Sequence, residues 1–182
     1  MKFEKFMQAG RMLDDIDIDF LLDAFKRRVL DIISLLMFKI VVWDFDGTMV
    51  EFNYNDDSLL PCRDDELYEY SKKGNIYKNV NPLKIVQYVI GKLEPEKQFV
   101  VTVSVDTVRD NKTKAITRKF PEIKPENIIH VNNSSEKNAV LEMLHKKTGK
   151  DIYFVEDTAK TILNAEEAMP FVKGIHISSF LP

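Results

Sequence analysis

Ile40-Val41-Val42-Trp43-Asp44-Phe45-Asp46-Gly47-Thr48 decides how the 182-residue chain is read. Four apolar residues, all of them β-branched or aromatic, run without a break into two carboxylates spaced two apart. A glycine and a hydroxyl residue follow. A continuous β-branched run fits a strand buried on both faces. Two aspartates at the mouth of such a strand must face a cation, a proton or a phosphoryl group.

Downstream of this stretch, apolar strands alternate with helical patterns. The pattern predicts strands over 98–103, 127–131, 151–155 and 174–178. It predicts helices over 82–93, 111–120, 135–148 and 158–169, three of them stopped by Pro121, Gly149 or Pro170. Strands alternating with helices predict an α/β fold, a Rossmann-like parallel sheet with helices on both faces. Upstream, Phe20, Leu21, Leu22, Phe25, Val29, Leu30, Ile33 and Leu36 recur at helical spacing in a segment without Gly or Pro. Residues 1–37 therefore read as an N-terminal helical extension and 38–182 as the catalytic domain. The extension's apolar stripe can bury on its own chain, act as a lid, or join a second subunit in a homo-oligomer.

Ligands of open parallel sheets bind beyond the carboxyl ends of the strands. The first strand delivers Asp44 and Asp46. The second delivers Thr102 and Ser104, of which Ser104 stands at the strand's end. The third leads through Asn132, Asn133 and Ser134 to Lys137, and the fourth delivers Glu156 and Asp157. Two aspartates, a hydroxyl, a lysine and an acidic pair on one rim suit phosphoryl transfer. The carboxylates need a divalent cation and a counter-charge beside a phosphoryl group. Mg2+ fits because it takes hard oxygen ligands and keeps several waters. Lys137 supplies fixed positive charge. One carboxylate can attack phosphorus, and the other can move the proton.

These residues resemble the four motifs of the haloacid dehalogenase (HAD) superfamily of phosphatases, in order, from about residue 38 to 179. The resemblance implies that Asp44 is the nucleophile. It makes Asp46 the general acid/base, with a backbone carbonyl on Mg2+, and Gly47 the residue that allows the tight loop. Thr48 buttresses that loop. Ser104, with Thr102 as the alternative, is the hydroxyl that binds the phosphoryl group. Lys137 neutralises phosphoryl group and nucleophile, and Asp157 is the metal acid with Glu156 as its partner. The family commonly has Gly-Asp or Asp-Asp at the last position, so Glu156-Asp157 is a departure. The implied activity is Mg2+-dependent hydrolysis of a small phosphate monoester, a nucleotide or other phosphorylated metabolite, through an aspartyl phosphate. The rival expectation is a catalytically weak HAD-like protein that binds phosphate, regulates or assembles.

Other features bound the function. With 26 Lys and Arg against 29 Asp and Glu, formal net charge -3, the chain lacks the basic density of a nucleic-acid polymer binder. Cys62 is the single cysteine and makes no internal disulfide. No signal peptide or membrane span is legible, which predicts a soluble cytoplasmic protein. Lys112 and Lys114 read as a solvated helix face, with the phosphate-neutralising lysine as their alternative role, His130 as structural and Trp43 as core. Residues 51–80 read as a flap or small insert. Phe52, Tyr54, Tyr68, Tyr70, Tyr77, Lys72 and Lys73 in it either select substrate or merely build the flap.

Overall fold

A computed structural model describes residues 18–51, 69–72 and 74–180, with side chains from residue 23 onward in the first helix. Five strands form the sheet: β1 (Ile40–Trp43), β2 (Gln98–Val103), β3 (Ile128–Val131), β4 (Ile152–Glu156) and β5 (Val172–His176). Every adjacent pair is parallel, and the order is β3-β2-β1-β4-β5. The helices are α1 (Ile18–Leu36), α2 (Lys84–Ile90), α3 (Asp106–Lys119), α4 (Glu136–Thr148) and α5 (Ala159–Ala168).

The sheet is covered on both faces, and β1 shows why its sequence is apolar throughout. Val41 and Trp43 enter one core, while Ile40 and Val42 enter the other. Side chains alternate along a strand, so a strand between two helical layers needs apolar residues at every position. On the first face α1, α2 and α3 contribute Ile33, Val86 and Ile116. On the second, α4 and α5 contribute Leu141 and Ala165. Trp43 is fully buried, with its ring centroid 6.0 Å from that of Phe180, and its indole N–H donates to Gln98 Oε1 at 3.3 Å.

Part of the apolar stripe of α1 is buried on its own chain, while Leu30 is 59% exposed. Val29, Ile32, Ile33 and Leu36 join the same core as Trp43, and Arg28 Nε donates to the Ser179 carbonyl at 2.8 Å. Among the described helices, none is long and apolar enough to cross a membrane.

Three predicted boundaries move. Helix α3 begins at Asp106, five residues before the expected Asn111, with Asp106 as the acidic residue of its first turn. Helix α2 is shorter than 82–93, and β5 starts at Val172, two residues before Gly174. Ser135 does not cap α4. The Glu136 N–H is instead accepted by Asn133 Oδ1 at 3.2 Å. At the other end Gly149 adopts φ 65°, the left-handed stop its sequence position predicts. Of the flap, 52–68 and 73 lie outside the described residues, including Phe52, Tyr54, Tyr68 and Lys73. Tyr77 is 1% exposed and packs on Phe45 with centroids 6.0 Å apart, so it belongs to the core instead of a solvent-facing flap.

Because Leu36 is 1% exposed in the same core as β1, Leu36→Ala is expected to cost about 2–5 kcal/mol of unfolding free energy. Urea denaturation checks this. A cost near zero would mean that α1 is not part of the cooperative core.

Candidate active site

Strand order reverses between β1 and β4: the chain runs outward through β2 and β3 on one side, then through β4 and β5 on the other. The carboxyl ends on either side of such a reversal form the natural ligand crevice of an open α/β sheet. Asp44 follows β1 and Glu156 closes β4. The register sets Trp43 beside Val155, and the Asp44 N–H donates to the Val155 carbonyl at 2.9 Å.

Lys137, in the first turn of α4, reaches over this crevice and is 4% exposed. Its Nζ donates to Asp44 Oδ1 at 2.6 Å and to Glu156 Oε2 at 2.7 Å. Asp44 and Glu156 are themselves 5% and 2% exposed. Asp157 completes a group in which one carboxylate oxygen from each of Asp44, Glu156 and Asp157 lies within 4.8 Å of the others. Three carboxylates against one ammonium leave a formal surplus of two negative charges in a buried place.

The titration of these groups reflects that surplus. Burial, opposed by Lys137 and reinforced by Glu156 and Asp46, pushes Asp44 up to about 7. Burial also raises Glu156 and Asp157 above the ordinary carboxylate range. For Lys137, burial works against its charge, but Asp44 and Glu156 outweigh it and hold its pKa above the usual lysine value. Acids crowded and desolvated in this way are short of positive charge.

Gly47 is tied to the same cluster. Its φ is 77°, and a Cβ built on it would overlap the Asp157 carboxylate. Glycine is therefore required twice, for the backbone conformation and for the close approach of Asp157. Thr48 is fully buried, but its Oγ1 has no hydrogen-bond partner among the described residues. It braces the loop by packing, without a hydrogen bond.

The other half of the rim corrects one expectation. Lys112 is not on a solvated face. It is fully buried, and its Nζ donates to Asp46 Oδ2 at 2.5 Å, Thr102 Oγ1 at 3.0 Å and the Val103 carbonyl at 2.6 Å. Three acceptors saturate an ammonium. Asp46, which stands apart from the three-acid group, is thus held by its own lysine. Thr102 serves this lysine, whereas Ser104 faces the neighbouring cavity. Lys114, by contrast, is exposed as expected. The signal for Lys112 was its spacing with Val108, Ala115 and Ile116, all buried on one stripe of α3. Starting that helix at Asn111 leaves Val108 out and hides the stripe.

His130 also does more than fill a strand. Its Nδ1 lies 2.9 Å from Ser104 Oγ and its Nε2 lies 2.8 Å from Thr113 Oγ1. Burial, then the charges of Lys112 and Arg109, lower His130 from 6.5 to about 4, so the ring is neutral near pH 7. A neutral ring donates through one nitrogen and accepts through the other. When Nδ1 donates to Ser104, the serine hydroxyl keeps its own proton for a ligand.

The chain matches no family model and no curated protein sequence.

The low His130 value carries a stability consequence. Below pH 6.5 the unfolded chain binds a proton that the folded ring resists until about pH 4. Its stabilising share is complete above 6.5 and is lost as pH falls through 4. In urea melts from pH 7 to 4, His130→Gln is expected to lose less stability on acidification than wild type. Parallel pH curves for the two proteins would contradict this.

Proposed function

We propose that the chain is a Mg2+-dependent phosphomonoester phosphatase of the HAD type, working through an aspartyl phosphate on Asp44. The observation that carries this is the charge balance at the crevice: three clustered carboxylates share one lysine, a surplus that one divalent cation neutralises. The donors are hard carboxylate oxygens, which suit Mg2+. Asp44 and Asp157, with Glu156 beside them and the Asp46 backbone carbonyl, would hold the ion. When bound it supplies positive charge that lets an anionic nucleophile approach an anionic ester.

In the first step an Asp44 oxygen attacks phosphorus, and the bond from phosphorus to the leaving oxygen breaks. Asp46 is the group that brings the leaving oxygen its proton. In the second step water attacks phosphorus and gives its proton to Asp46. The bond between Asp44 and phosphorus then breaks, freeing the carboxylate and inorganic phosphate. Lys137 stays beside Asp44 throughout and offsets charge that builds on the phosphoryl oxygens. Ser104, oriented by His130, offers a hydrogen bond to one of those oxygens. The substrate of this chemistry is a small-molecule phosphate ester.

One observation favours a second reading, a phosphate-binding protein with weak or no turnover. Asp46 Oδ2 already accepts a bond from Lys112, which competes with carriage of a proton to the leaving group. Hydrolysis separates the two. With Mg2+ and an aryl phosphate, Asp44→Asn is expected to lose about a thousandfold or more in kcat. Acid-quenched wild type should carry one phosphoryl group by intact mass and the variant none. An Asp44→Asn protein that still turns over removes Asp44 as nucleophile. Wild type inactive across a broad panel of phosphate esters would leave the binding reading.

A further inference from the structure

We infer that the ester's leaving group is a compact, uncharged aromatic or apolar alcohol, seated in a cavity that adjoins the rim at Ser104. The inference rests on the phosphatase reading and names its substrate class. The cavity holds about 340 Å³, near the small end of ligand pockets, and its size suits a single ring better than a dinucleotide. Ile76, Tyr77, Val105 and Val108 supply apolar wall, and Ser104 joins the cavity to the phosphoryl rim. Among the described lining residues none is charged. Val105 is 46% exposed, an apolar side chain left partly open at this wall.

The amides that line the cavity are already engaged elsewhere. Asn132 Nδ2 donates to Glu136, and its Oδ1 accepts from Arg109 at 2.8 Å. Asn133 Nδ2 donates to Glu136 at 2.9 Å, while its Oδ1 accepts from Ser135 Oγ and the Glu136 N–H. Glu136 thus ties the 132–136 turn together and occupies donors of both amides. Ser71 and Ser134 add hydroxyls to the lining, but among the described lining residues no charged group meets a second phosphate, whereas an apolar ring gains by burial against Ile76, Tyr77, Val105 and Val108. The chemistry agrees, because a phenol-type oxygen leaves with less protonation than an alkoxide. That suits an Asp46 whose Oδ2 already accepts from Lys112.

Calorimetry on the full chain in excess Mg2+ tests this with three non-hydrolysable probes: inorganic phosphate, methylphosphonate and phenylphosphonate. Phenylphosphonate should bind about tenfold or more tighter than methylphosphonate. Val105→Asn, which puts a favourable capping residue at the start of α3, should remove most of that advantage and leave methylphosphonate affinity unchanged. Val108→Phe, which fills the cavity, should do the same. Equal affinity for the two phosphonates in wild type, or an advantage that survives in both variants, overturns the inference and leaves the phosphatase reading standing. Failure of all three probes to bind overturns both.

Discussion

One ammonium holds the crevice together. Lys137 comes from α4, Asp44 from the end of β1 and Glu156 from the end of β4, and all three are buried. Breaking either contact leaves an uncompensated charge away from water, a cost of several kcal/mol in comparable buried pairs. The bridge therefore fixes how the two strands at the order reversal present their ends. Asp157 joins the group without an ion pair of its own among the described residues.

A second buried lysine does the parallel work on the other side. Lys112 ties Asp46 to the end of β2 through Thr102 and the Val103 carbonyl. The loop that carries both aspartates is thus gripped from two helices by two ammonium groups. Gly47 lets it turn against Asp157. The two aspartates have different ion-pair partners. Asp44 sits with the clustered acids, and Asp46 sits with a lysine of its own. In the proposed reaction that separation divides attack from proton transfer. The adjoining cavity, with wall amides bonded to Glu136 and Arg109, is where the inferred preference for the leaving group would arise.

Much of this was legible in the residues. The apolar strand before Asp44 marks β1 because burial on both faces demands apolar side chains at every position. The strand-end rule then points to Ser104, Lys137, Glu156 and Asp157, which the fold gathers at the carboxyl edge. The pairing of Lys112 with Asp46 was harder to read, since it depends on where α3 begins, and helix starts are weakly marked when no side chain caps them. The link between His130 and Ser104 depends on strand register, Thr102 lying beside His130, which no local pattern encodes. The engagement of Asn132 and Asn133 by Glu136 comes from a turn geometry that composition does not specify.

In the proposed chemistry a divalent cation completes the acidic surplus around Lys137. Isothermal titration of Mg2+ into the wild-type chain and into Asp157→Asn tests it without requiring turnover. One saturable site is expected in the wild type, with proton release near pH 7 as Asp44 is relieved of its raised pKa, and a large loss of affinity in the variant. No saturable binding in the wild type, or equal binding by the two proteins, would contradict it.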